Sequence, residues 1–164
     1  MPRPGDHPDF FRLPPPPGRS RESTIRLDAR GRFIHDGTLV EHAAMARAFA
    51  SWIARHPDDG RFVLSNGYDW TYFEVEDAPF FVDAVKSVDG RPWLVLFDGS
   101  EEPLDPTTLS STPSGALSAR VKHAAYDARF RPSAQLGLAP WLEEGADGAP
   151  GLLISGLRYD LPAC

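Results

Sequence analysis

The chain has 164 residues, 41% hydrophobic and 24% charged, which is enough to bury a core without a disulfide or a metal. A net charge of -6 argues against nucleic acid or an anionic membrane as the principal partner. Cys164 is the lone cysteine, so no internal disulfide forms; no apolar run approaches the roughly 20 residues of a membrane helix, no secretory h-region is visible, and a cytoplasmic protein is expected.

Residues 1–23 hold Pro2, Pro4, Pro8 and the run Pro14-Pro15-Pro16-Pro17. Proline fixes φ and cannot donate to a ladder, so a disordered or extended proline-rich arm is expected, pinned by Phe10, Phe11 and Leu13. A ligand for a proline-binding module is the alternative use of this arm. A first α+β lobe is expected over residues 24–79. It opens with a hairpin, residues 24–28 against 32–35, in which Ile25 and Leu27 share one side. Asp36-Gly37 ends that hairpin. A helix is expected over 41–55, with Met45, Phe49, Trp52 and Ile53 as its core stripe and Thr38 with Glu41 as a capping box.

Residues 61–80 are the stretch around which the rest is organised. Residues 61–65 read as a strand, Asn66-Gly67 as a two-residue hairpin turn, and residues 70–76 as the return strand. Thr71, Phe73 and Val75 share one face, the core side. Trp70, Tyr72, Glu74 and Glu76 share the other, which faces solvent or walls a groove.

The second lobe is expected over residues 80–164. Residues 80–88 and 92–97 form a hairpin around Asp89-Gly90, the latter strand apolar on both faces and therefore covered on both. Residues 98–115, rich in Gly, Ser, Thr and Pro, read as a long loop. Residues 116–122 form a strand with Arg120 and Lys122 on one side, residues 123–131 fit either period, and Pro132 starts a helix to about Glu143 that Pro140 ends or kinks. Residues 152–161 close the chain as a pair of strands or one bent strand, broken at Gly156. The two lobes read as loose copies of a β-β-α-β-β unit.

The histidines show no metal spacing, and neither a nucleophile elbow, a phosphate-cradling loop nor a dinucleotide fingerprint occurs. No cofactor, no metal and no catalytic residue is assigned. Two constellations remain. Arg120, Lys122, His123, Arg129 and Arg131 crowd a dozen residues of an otherwise acidic chain, and guanidinium groups beside a helix start suit a phosphate or carboxylate. The adjacent pair Glu76 and Asp77 offers a base or a cation ligand, against the simpler reading of a strand end with Asp77 capping its own turn.

Several stretches resemble the bacterial family catalogued as domain of unknown function 1285. They are Ile25-Arg26-Leu27-Asp28 with Gly31 and Phe33, Gly37-Thr38 with Ala48-Phe49, Val75-Glu76-Asp77-Ala78-Pro79-Phe80, Arg131 before an apolar helix, and Ser155-Gly156. The resemblance covers about residues 24–161. It implies a duplicated α+β architecture with units side by side, a second half superficially like a pleckstrin-homology fold, a groove between the halves for a nucleotide-like ligand, and a role in signalling or stress response. The expectation is therefore a non-enzymatic binding protein. Arg120, Lys122 and Arg131 would hold a small anionic ligand, Trp70 or Tyr72 would stack on its ring, and Glu76 would line the groove. A protein-interaction module using the aromatic strand face and the arm is the alternative.

Overall fold

The computed structural model describes residues 2–161. They divide into two units, with the boundary between Asp77 and Ala78. The class is α+β, with sixteen strands and two short α-helices among the described residues.

In the first unit β1 (Arg26–Leu27) and β2 (Phe33–His35) form the expected hairpin. Its turn closes on Asp28, whose carboxylate accepts the N–H groups of Arg30 and Arg32 and the Arg32 guanidinium. Asp36-Gly37, at φ 52° and 76°, turns the chain into β3 (Thr38–Leu39). Thr38 is thus a strand residue and not a helix cap. The cap of α1 (Ala43–Ser51) is His42, whose Nδ1 accepts the Met45 N–H. The expected helix over 41–55 stops early because Ile53–Arg55 becomes β4, paired with β5 (Phe62–Ser65). Apolar spacing alone continued the helix, but a β-branched residue opposite Leu64 on a sheet edge wins through tertiary pairing.

Strand β5 pairs with β6 (Trp70–Tyr72), Ser65 opposite Trp70. The connection is four residues rather than two: Asn66 Oδ1 accepts the N–H groups of Tyr68 and Asp69 at 2.9 Å, and Gly67 takes φ 88°. The side-chain amide replaces the backbone bond of a tighter turn. The return strand breaks at Phe73, and β7 (Glu74–Val75) leaves to pair in parallel with β1. The unit therefore holds two sheets, in the orders β3-β2-β1-β7 and β4-β5-β6.

The N-terminal segment is not a solvated arm. Its single turns at Pro4–Asp6 and Phe10–Arg12 lie on the first unit. Phe10 is only 4% exposed and packs on Val63 and Trp70. Arg12 forks onto Asp58 at 2.7–3.2 Å. Arg21 bonds the carbonyls of Leu13, Pro14 and Trp70 and lies over the Trp70 ring. Two aromatic anchors gain more from burial than a proline-stiffened chain loses on ordering.

In the second unit β8 (Phe80–Val88) and β9 (Arg91–Leu96) form the expected hairpin, with Asp89-Gly90 at φ 52° and 77°. The expected long loop is ordered as β10 (Glu101–Pro103), a turn at Pro106–Thr108 and β11 (Ser110–Ser111). Next come β12 (Leu117–Val121) and β13 (Tyr126–Phe130), and β13 pairs in parallel with β8. The six-stranded sheet runs β10-β9-β8-β13-β12-β11. The helix expected to reach Glu143 is only α2 (Pro132–Leu136). Pro140 cannot extend it and sits in a tight turn, Ala139–Trp141, that feeds β14 (Leu142–Glu144). Then β15 (Pro150–Ile154) and β16 (Leu157–Asp160) complete a three-stranded sheet.

Each unit has a three-stranded meander whose first strand pairs in parallel with a later one, and a helix followed by a second three-stranded sheet. In the first unit the parallel strand follows that helix and sheet; in the second it precedes them. The recurrence therefore falls short of two β-β-α-β-β copies.

Candidate functional site

The three cations expected to share an anion are each engaged within the second unit. Arg120 Nε lies 3.4 Å from Asp127, its cross-strand neighbour, and its Nη1 donates to the Ala124 carbonyl at 3.0 Å. Lys122 is not on the strand. It has φ 56°, the first of three consecutive left-handed residues with His123 and Ala124, so its side chain does not stand beside that of Arg120. Its Nζ donates to Asp98 at 2.9 Å and to Ser100 Oγ at 2.8 Å. The Asp98 side chain is 7% exposed. Burial pushes its pKa up, but the Ser100 hydroxyl, the Lys122 ammonium and the Ser100 N–H outweigh that and hold it below the usual carboxylate range. Arg131 Nε donates to Asp83 at 2.6 Å, and its guanidinium lies over Phe81. Four strand positions separate Asp127 from Arg131, roughly 13 Å, so Arg120 and Arg131 mark opposite ends of β13.

The aromatic pair is also occupied. Trp70, 6% exposed, has Phe11, His56 and Tyr72 within 5.1–5.5 Å of its ring and donates its indole N–H to the Phe10 carbonyl. Tyr72 carries the Arg61 guanidinium at 3.7 Å, stacks with His56 and donates its hydroxyl to Asp59 at 2.8 Å. Burial and then that bond to Asp59 raise its pKa. Glu76 accepts the Ala29 N–H at 2.8 Å and lies 4.0 Å from Arg26, tying β7 to the first hairpin. His56, counted beforehand only as exposed or packed, is a latch for the N-terminal segment. Its Nε2 must donate to the Phe11 carbonyl, 2.9 Å away, because Nδ1 accepts the Asp58 N–H at 3.1 Å.

The sequence reading missed a cleft of about 480 Å³ in the first unit. One wall is the N-terminal segment: Arg3, Gly5, Asp6, Phe10 and Phe11. The other is the end of α1, the start of β4 and the β5–β6 loop. The walls meet where the Gly5 N–H donates to the Gly67 carbonyl at 2.7 Å. A Cβ on Gly5 would stand 3.0 Å from the Gly67 Cα and oxygen, so only glycine allows this approach. Gly67 in turn makes room for Arg3, whose Nη1 would lie 3.2 Å from a Cβ there. Arg3 makes no ion pair among the described residues; its backbone N–H donates to Asp6. A smaller cavity of about 170 Å³ shares Trp52 and Asn66 with the cleft.

No family model matches this sequence, and no curated protein does. Two solved structures do match in shape. A DUF1285 family protein from Silicibacter pomeroyi DSS-3 superposes with a TM-score of 0.66 at 23% identity, covering 87% of this chain and 81% of that one. A DUF1285 family protein from Shewanella baltica OS155 gives 0.58 at 17% identity, covering 74% of this chain and 94% of that one. This chain has a DUF1285-like fold. At such identities the DUF1285 likeness concerns architecture, and neither neighbour's name carries an activity.

Within its DUF1285-like frame, the cleft assembles distinct recognition groups. Arg3 offers a planar fork of donors that suits a phosphate or carboxylate. Asn66 uses its side-chain oxygen in the loop and keeps its amide donors. Ser51 donates to the Ala48 carbonyl and keeps its acceptor lone pairs. Phe11 and Trp52 are half-buried flat surfaces. Asp6 can accept from an amino or hydroxyl group. Among the described residues no cluster of His, Cys, Asp or Glu is placed to hold a metal, and no helix is long and apolar enough to cross a membrane.

Proposed function

We propose that this chain is a binding protein, not an enzyme, and that the cleft of the first unit takes a small anionic ligand with a flat ring. One observation carries this reading: an arginine without an ion-pair partner among the described residues lies beside aromatic rings in a cleft of about 480 Å³. That volume falls within the roughly 300–1,000 Å³ of small-molecule sites. Arg3 binds the anionic group, Trp52 and Phe11 cover the ring, and Asn66 and Asp6 read its polar edge. A nucleoside monophosphate has all three parts. The proposal keeps the ligand class expected from the sequence but moves it from Arg120, Lys122 and Arg131, which are committed to carboxylates of the second unit.

The test is a thermal-shift screen with the four common nucleoside monophosphates and with benzoate, on the wild type and on Arg3→Gln. A ligand at 100 times its dissociation constant stabilises by about 2.7 kcal/mol. A rise in Tm that Arg3→Gln abolishes supports the assignment. No rise at millimolar dose, or a rise that Arg3→Gln leaves unchanged, refutes it.

A further inference from the structure

The last strand of the second unit has an edge built to meet its own copy. Strand β16 lies at the end of its sheet and pairs only with β15 among the described strands. The hairpin joining them has a two-residue turn, Ser155-Gly156, at φ 50° and 80°. In such a hairpin Ile154 and Leu157 exchange both backbone bonds, as do Leu152 and Tyr159. Arg158 and Asp160 occupy the alternate positions, so their N–H and C=O groups point away from β15. Neither residue's backbone finds a partner among the described residues.

The side chains along this edge run Leu157-Arg158-Tyr159-Asp160-Leu161. Read in both directions from Tyr159, the pattern is apolar, charged, aromatic, opposite charge, apolar. An antiparallel copy centred on Tyr159 therefore sets Arg158 against Asp160 of the other chain, twice, and Leu157 against Leu161, twice. That register also makes each Arg158–Asp160 pair the hydrogen-bonded kind, using the four outward backbone groups of each strand. Opposite charges directly across a ladder stabilise it, whereas like charges oppose it, so the edge selects this register. Leu157, opposite Ile154 in its own sheet, is 62% exposed and leaves most of its apolar side chain uncovered. Arg158 lies 3.3 Å from Asp160 on its own strand, and it also reaches back across β15 to Glu143 at 3.5 Å and the Ala149 carbonyl at 3.0 Å, so its guanidinium swings from these contacts to meet the copy.

We infer that a second copy of this chain pairs through β16 in an isologous, two-fold dimer with a continuous six-stranded antiparallel sheet. The occupant is the chain itself because the edge is complementary to its own reverse, both in backbone donors and in charge. Pro162 follows in the sequence and cannot donate to a longer ladder, which limits the contact to these five residues.

Sedimentation equilibrium over micromolar to millimolar concentration tests this, using the full chain. The wild type shows a concentration-dependent mass of two chains. Asp160→Arg sets like charges against Arg158 and weakens association at least tenfold, and the double variant Arg158→Asp with Asp160→Arg restores it. Leu157→Lys, a change at an exposed position that leaves the fold intact, gives monomer. A wild type that stays monomeric at millimolar concentration overturns the inference. A dimer that both Asp160→Arg and Leu157→Lys leave unchanged overturns it equally, as does failure of the double variant to recover.

Discussion

Replacing Phe10 by alanine tests whether the N-terminal segment is part of the fold. The Phe10 ring is almost wholly buried, packed on Val63 and Trp70, and meets Phe11 edge-on at 5.2 Å. If the surroundings hold still, a buried Phe→Ala change costs about 3–5 kcal/mol in lost transfer energy and cavity. The loss has a ceiling, because residues 2–13 can detach instead. Detachment gives up the Gly5–Gly67, Trp70–Phe10 and His56–Phe11 bonds and the Arg12–Asp58 fork. At about 1 kcal/mol for each neutral bond, before any apolar area, that ceiling is itself above 2 kcal/mol. Either route therefore destabilises the first unit by more than about 2 kcal/mol. Urea unfolding followed by tryptophan fluorescence measures it, and the slope separates the routes. A cavity leaves m unchanged, whereas detachment lowers m because less surface is then exposed on unfolding. A midpoint shift worth less than about 0.5 kcal/mol, with unaltered proteolysis before Phe10, refutes the packed segment.

The other predictions are smaller or more local. Gly5→Ala, which drives a Cβ onto the Gly67 backbone, accelerates hydrogen exchange at the Gly5 amide and abolishes ligand-induced stabilisation, while the second unit melts unchanged. Asp98→Asn costs about 1–3 kcal/mol at neutral pH in a denaturant melt, since the Lys122 ammonium loses its carboxylate. Asp98 and Asp28 both have pKa values held below the ordinary 3.8. Their contribution to stability is therefore full above that value and is lost as pH falls through it towards the folded pKa, and Asp98→Asn makes the acid limb of the stability curve shallower. Ala124→Gly raises Tm, by up to about 1 kcal/mol of stability, because Ala124 sits at φ 60° and is exposed.

What could be read in the sequence was chemistry that acts within a few residues. Asp36-Gly37, Asp89-Gly90 and Ser155-Gly156 all take the positive φ that their composition favours, but only the hairpin around Asp89-Gly90 was legible as one; Asp36-Gly37 was read as the end of a hairpin, and the last strands only as broken at Gly156. The breaks in the long helical spans were less so. Ile53 fits a helical stripe until β5 supplies an edge, and Pro140 was seen as a kink without the short turn it heads. Lys122 was placed on a strand because a run of three left-handed residues without glycine has no compositional mark. The face bearing Trp70 and Tyr72 was read as solvent-facing or as a groove wall because its cover, Phe10, Phe11 and His56, comes from elsewhere in the chain. The cleft was invisible for the same reason. It exists through the approach of Gly5 to Gly67, and neither glycine differs in the sequence from one that merely turns the chain. Phe10 and Phe11, noted as pins amid the prolines, were the only local hint.

The most direct measurement for the ligand-binding cleft is a chemical-shift map of the full chain titrated with adenosine monophosphate and the other monophosphates. The account predicts saturable shifts at the amides of Gly5 and Gly67, the side-chain amide of Asn66 and the indole of Trp52, all lost in Arg3→Gln. Shifts centred on Arg120, Lys122 and Arg131, or none at millimolar ligand, would contradict it.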